Sequence, residues 1–201
     1  MEKFQAFAHP WWVNLLVFVP VAMYLVWRRD GLDLTLRRKL TIGAFALAFG
    51  FVEAAVVVYL RAALGDLPGY HGTLSDIRRM AATYNPAQAS SPIPFPQSLL
   101  TVEVLREAAT MLMLVTVALL AAPRRRERWA SFLFAFAIWD ITYYAGLWAT
   151  VGWPASLKSI DVLFLIPVPW VSQVWYPLLV SALTVLAVAV AKRSSSMVVA
   201  D

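Results

Sequence analysis

The chain has no cysteine, only two histidines, and a charged fraction of 14%. The first absence excludes disulfide frameworks, thiolate metal sites and cysteine nucleophiles. The second leaves His9 and His71 as the only imidazoles, so any metal site would consist mainly of carboxylates. The third sets the class, because soluble domains carry about 25% charge and about 45–50% apolar residues. Here 61% of 201 residues are hydrophobic, more apolar surface than a globule of this size can hide. Phosphate-cradling glycine loops, a Gly-x-Ser-x-Gly elbow and His-Glu-x-x-His are also missing.

The sequence contains long apolar runs. Crossing about 30 Å of hydrocarbon takes about 20 mostly apolar residues, and five stretches qualify, at 11–27, 40–60, 99–122, 130–150 and 171–191. The expectation is an all-α polytopic membrane helix bundle forming a single membrane domain over 1–201. Residues 1–10 carry one lysine and no small-residue cleavage site follows, so the first run reads as a retained helix rather than a signal peptide.

Lysine and arginine set the expected direction. Eleven of the seventeen lie in 28–39, in 123–129 and after residue 191, against five spread over the opposite side. The positive-inside rule then puts the N-terminus outside and the C-terminus in the cytoplasm. These clusters sit where membrane loops would be, not in a basic stripe on a soluble fold, so no nucleic-acid partner is expected. Eight of the nine tryptophans, all but Trp139, lie near span ends, as interfacial anchoring favours.

Two connections depart from a plain bundle. The outer loop 61–97 is long enough to have structure of its own: a short helix capped around Ser75 and Asp76, then an extended Pro-rich return over 86–96. Residues 162–191 are too many for one straight span and too few for two. Pro167 and Pro169 interrupt them, which predicts an interfacial or re-entrant piece before the last helix. Asp161 at its start reads as an N-cap; the alternative is a lid bringing Asp161, Trp170 and Gln173 over a site.

Ionisable groups inside spans cost about 2.5–3.5 kcal/mol each on insertion scales and call for partners. Glu53 falls in the second span, Glu103, Arg106 and Glu107 in the third, and Asp140 in the fourth. With alternating directions they should share one layer, roughly 6–15 Å below the outer surface. Helical periodicity agrees. Glu103, Arg106, Glu107 and Thr110 make one polar stripe, and Ala46, Gly50 and Ala54 make a small-residue stripe beside Glu53. Tyr143 and Tyr144 share the face of Asp140.

Four carboxylates against one intramembrane arginine leave a deficit that protonation, a bound cation or a descending Arg61, Arg78 or Arg79 could fill. An oxygen-rich set of Glu53, Glu103, Glu107 and Asp140 suits Mg²⁺, Mn²⁺ or Ca²⁺, or iron if His71 joins; His9 is a weaker candidate. The Glu-x-x-His spacing of carboxylate-bridged dinuclear centres is absent.

The segments FVEAAVVVYLR (51–61), EVLREAAT (103–110), WDITYYAGL (139–147) and WPASLKSIDVLFLIPVPW (153–170) resemble a group of small uncharacterised bacterial multi-pass membrane proteins. The resemblance implies a bacterial inner-membrane setting and no specific activity.

The leading expectation is a divalent-cation-dependent membrane enzyme acting on a lipid-like or amphipathic substrate, with Glu107, Asp140, Tyr143 and Tyr144 in catalysis and Arg106 orienting an anionic group. The alternatives are a proton- or cation-coupled transporter or channel, and an accessory subunit of a membrane complex in which the polar layer only holds helices together. Transport lacks an ionisable path in the cytoplasmic half. A homo-oligomer is compatible with every one of these readings.

Overall fold

The computed structural model describes residues 4–63 and 97–191. The expected loop structures over 64–96, with His71, Arg78 and Arg79, lie outside the described residues, as does the tail after residue 191. Within them the chain is mostly helical. A 3-10 helix over Trp11–Val17 runs into α1 (Phe18–Asp30), followed by α2 (Leu36–Ala63), α3 (Gln97–Ala121), α4 (Arg125–Val151) and α5 (Trp175–Val190). Four segments are long and apolar enough to cross a membrane: Trp11–Asp30, Leu36–Arg61, Leu100–Ala121 and Arg125–Val151.

The first segment winds as 3-10 before it becomes α. Pro20, in the first turn of α1, has no N–H to give the Leu16 carbonyl, and its ring crowds that carbonyl. A tighter winding upstream removes the conflict. Gly31 ends α1 with φ 72°, and Gly152 ends α4 in the left-handed region while its N–H caps the Trp148 carbonyl at 3.0 Å.

The last helix differs from expectation. Residues 160–173 form an antiparallel hairpin of β1 (Ile160–Phe164) and β2 (Trp170–Gln173), so the fold is not all-α. Pro167 and Pro169 sit in its tip, where no ladder N–H is needed. Asp161 pairs with Ser172 in the ladder and so is a strand residue, not a helix N-cap. One extra residue between Val162 and Phe164 shifts the register. The chain start joins the hairpin edge: His9 and Val171 exchange both backbone hydrogen bonds at 2.7 Å. Because 170–173 is strand, α5 holds 16 residues, about 24 Å of helix, short of a full crossing.

Helix α4 is the centre of the molecule. In its apolar 18-residue stretch 56% of the residues are buried, against a third or less in the corresponding stretches of the other three long helices. It packs most extensively on α2, then on α5 and α3. The α2–α4 contact follows the small-residue stripe: Ala46, Gly50 and Ala54 are all buried. A methyl group on Gly50 would come within 2.5 Å of the Trp139 carbonyl oxygen and 2.9 Å of Thr142 Cβ. Tryptophan placement is more mixed than interfacial anchoring predicts. Trp11, Trp129 and Trp148 are exposed, but Trp27 and Trp153 are buried in the core.

Gly50→Ala should therefore lower the melting temperature of the detergent-purified protein, through overpacking of about 1–3 kcal/mol. Gly43→Ala, whose new methyl would meet side chains alone, Ile138 at 3.4 Å and Phe134 at 4.0 Å, should leave it nearly unchanged.

Candidate functional site

The five polar residues expected inside spans all come from the middle of their helices. Glu53 is ten residues from the end of α2, Glu107 ten from the start of α3, and Asp140 eleven from the end of α4. At 1.5 Å per residue this is about 15 Å from the helix ends. The helices extend past the expected span limits, so these groups lie further inside their helices than the spans implied. Glu53, Glu103, Glu107, Thr110 and Asp140 are each at least nine-tenths buried.

Arg106 joins two helices. Its guanidinium forms an ion pair with Glu53 of α2, and its Nε and Nη2 both donate to Glu103 Oε2, at 2.9 and 2.7 Å. Thr110, one turn further along α3, donates to the other oxygen of Glu53 at 3.2 Å. The arginine thus binds a carboxylate on each of two helices, and one positive charge is shared between two acids. Of the partners open to it across the interface, Arg106 takes Glu53 and not Asp140.

Glu107 has a different function. Its Oε1 and Oε2 accept the backbone N–H of Leu165, at 3.0 and 2.9 Å, at the tip of the hairpin. The tip backbone lies at the depth of mid-helix, where an unpartnered amide is expensive; the carboxylate supplies the acceptor. Phe164, beside the tip, packs on Phe136 and Trp139 of α4 with ring centroids 6.1 and 6.4 Å apart.

Two carboxylate–hydroxyl pairs complete the layer. Ser181 of α5 donates to Asp140 Oδ2 at 2.8 Å, and Tyr144 of α4 donates to Asp161 Oδ2 of β1 at 2.9 Å. Burial pushes the Asp161 carboxyl above its ordinary range, and the positive charge of Arg61 and the Tyr144 hydroxyl oppose that rise. Arg61 lies 4.4 Å over the Trp153 ring, so it is the residue at the end of α2 that turns toward the cluster.

Together these side chains line a cavity of about 100 Å³ whose wall includes Glu53, Arg106, Glu107, Asp140, Tyr143, Tyr144, Asp161 and Ser181. Glu103 stays outside its wall, behind Arg106. Trp139 and Trp170 also line the cavity, and the indole N–H of each is buried without a hydrogen-bond partner among the described residues. Of the lid residues, Asp161 and Trp170 reach the site. Gln173 does not: its side chain binds the Gln5 amide at 3.0 Å and the Trp175 indole at 3.2 Å. Ser181 carried no sequence signal, since a lone serine in an apolar helix marks nothing until another helix faces it.

A second, apolar cleft of about 480 Å³ adjoins the cavity. Val19 and Pro20 of α1 and Ala108 and Met111 of α3 form its sides, Phe132 and Leu133 of α4 and Thr184 of α5 its floor. Glu107, Phe136, Phe164, Trp170 and Ser181 belong to both walls.

The proposed metal ligands are not assembled as a ligand set. No group of three acidic or histidine side chains suited to a metal ion occurs among the described residues. Glu53 and Glu103 face Arg106, Glu107 faces the hairpin amide and Asp140 faces Ser181. His71 lies outside the described residues, and the His9 side chain is exposed. One acidic residue escaped the sequence reading. Glu127, read as loop, is the third residue of α4 and is 1% exposed, with Oε1 held by Arg126 at 3.1 Å.

Comparison with protein-family models, curated proteins and solved structures finds no match to this chain.

If Glu107 serves the hairpin backbone, its acceptor capacity matters more than its charge. Glu107→Gln, which keeps an acceptor oxygen, should retain most of the stability, whereas Glu107→Ala should lose about 1–3 kcal/mol. Thermal melting of the two variants beside wild type measures the difference.

Proposed function

We propose that this chain is a protein of the bacterial inner membrane with its N-terminus outside and five crossings, the last made by α5 together with the hairpin, and that its cavity is the working site of a membrane enzyme. The substrate is lipid-like or amphipathic, with its polar head in the cavity and its chain in the adjoining cleft. The observation that carries this reading is the shared wall: a small chamber that gathers the buried polar side chains and an apolar cleft of larger volume meet at Glu107, Phe164, Trp170 and Ser181. An amphipathic molecule matches both halves, and a lipid could enter sideways between α1 and α3 without crossing a headgroup layer.

The chemistry follows from the groups that remain after the structural ones are set aside. Arg106, Glu53 and Glu103 are paired with one another, and Glu107 holds the hairpin. Asp140 with Ser181 and Asp161 with Tyr144 are left as two acid–base pairs on facing elements. A carboxylate hydrogen-bonded to a hydroxyl can accept a proton from a substrate group and return it through the hydroxyl. Carboxylate acceptors favour a head group rich in hydroxyl or amine donors, and the two indole N–H groups offer donors to an oxygen on the same molecule. A reading that uses only these groups needs no metal.

A proton- or cation-coupled pathway finds less support. The buried polar groups at the other end of α4 are Glu127 and Ser131. Ser131 is nine residues from Asp140, and at about 100° per residue that turns it to the opposite face of the helix. The two polar sites do not form one line.

The test is conversion of a bacterial lipid extract by the purified protein in lipid nanodiscs, read by untargeted mass spectrometry. Wild type should deplete one lipid class. Asp140→Asn and Asp161→Asn should slow that conversion by at least about a hundredfold with melting temperatures close to wild type. An extract left unchanged by wild type would remove the enzyme reading.

A further inference from the structure

The end of the bundle opposite the cavity carries a second groove, of about 380 Å³, between α3 and α4. Its walls are Val115, Ala118 and Leu119 of α3 and Phe132 of α4, and Arg125, Arg128 and Trp129 close one end. From this we infer that the groove is a binding site for an anionic phospholipid. The lipid's phosphate lies between Arg125 and Arg128, and one acyl chain runs along the α3 wall.

Charge complementarity chooses the occupant. Arg124 and Arg126 at this end face the carboxylates of Asp33 and Glu127. Arg125 and Arg128 form no ion pair among the described residues, so the groove mouth holds two cations without counter-charge. The Nε of Arg128 donates to the Ala122 carbonyl at 2.8 Å, which fixes the guanidinium against the α3–α4 turn. Its remaining N–H groups, four of the five an arginine carries, are available to phosphate oxygens.

The rest of the groove suits the remainder of a lipid. Trp129 is 59% exposed and meets Phe132 edge to face at 5.8 Å. It stands between the arginines and the apolar wall, at the level a lipid's glycerol region would occupy. Val115 and Leu119 of α3, both in the groove wall, are also exposed, so an acyl chain would cover a surface that the protein leaves bare. Basic pockets between helices on the cytoplasmic side are suited to anionic head groups. The inference rests on the membrane placement of the chain and is independent of any catalytic activity in the cavity.

Titration of the purified full chain in neutral detergent with phosphatidylglycerol, and separately with phosphatidylcholine of the same acyl composition, tests it; bound lipid is counted by native mass spectrometry. Wild type should prefer the anionic lipid by at least about tenfold. Arg125→Gln alone, at an exposed side chain, should weaken phosphatidylglycerol binding about fivefold, and Arg125→Gln with Arg128→Gln should bring it to the phosphatidylcholine level. Arg37→Gln with Arg38→Gln, which removes two cations from the same end but not from this groove, should leave the preference intact. No preference in wild type, or equal loss in both double variants, would overturn the inference: the first denies an anionic site and the second reduces it to diffuse attraction.

Discussion

The arrangement depends on one constraint: backbone that is neither helix nor closed sheet must find acceptors and donors inside the protein when it sits at mid-helix depth. The hairpin of β1 and β2 meets it with side chains and with a borrowed edge. Glu107 accepts the tip amide from the α3 side, and His9 adds backbone pairing on the other flank. Around the tip, Phe164 and Trp170 pack on each other at 5.4 Å, and Phe164 packs on Phe136 of α4. With those partners in place a polar-backboned element can lie among apolar helices and deliver Asp161 to Tyr144. The cavity exists because the hairpin occupies space that a straight fifth span would have filled.

Helix α4 carries the consequences. Its small-residue contact with α2 brings that helix close enough for Glu53 to lie beside α3, where it shares Arg106 with Glu103. An ion triad of this kind holds two buried carboxylates on one half-buried arginine, charges that would each be costly alone, and it fixes how α2 and α3 meet. The same helix presents Asp140, Tyr143 and Tyr144 to the cavity and Phe132 and Phe136 to the apolar cleft. Polar and apolar surface therefore change over along one side of one helix.

The two ends of the bundle differ in kind. At one end the charged groups are internal and paired: Arg106 with Glu53 and Glu103, Arg61 over Trp153 and near Asp161. At the other, Arg37, Arg38, Arg124 and Arg125 are exposed, and Lys39 reaches the Val188 carbonyl at the end of α5 at 2.9 Å. Glu127 is the exception, a carboxylate sealed inside with one oxygen on Arg126. Its burial follows from α4 beginning at Arg125, which turns a nominal loop residue into part of the packed face.

Local pattern alone determined the helices, their apolarity, the polar stripe on α3, the small-residue face on α2 and the face shared by Asp140, Tyr143 and Tyr144. These rest on residue type and on the 3.6-residue period, which any isolated segment already carries. Only the tertiary structure decided what each charged group binds. Whether Arg106 takes Glu53 or Asp140, whether Glu107 faces a ligand or a backbone amide, and whether Asp161 caps a helix or pairs in a ladder all depend on which elements become neighbours. The hairpin belongs to the same class. Its strands of five and four residues are too short to announce themselves by alternation, and they are stable only because helices and the chain start surround them.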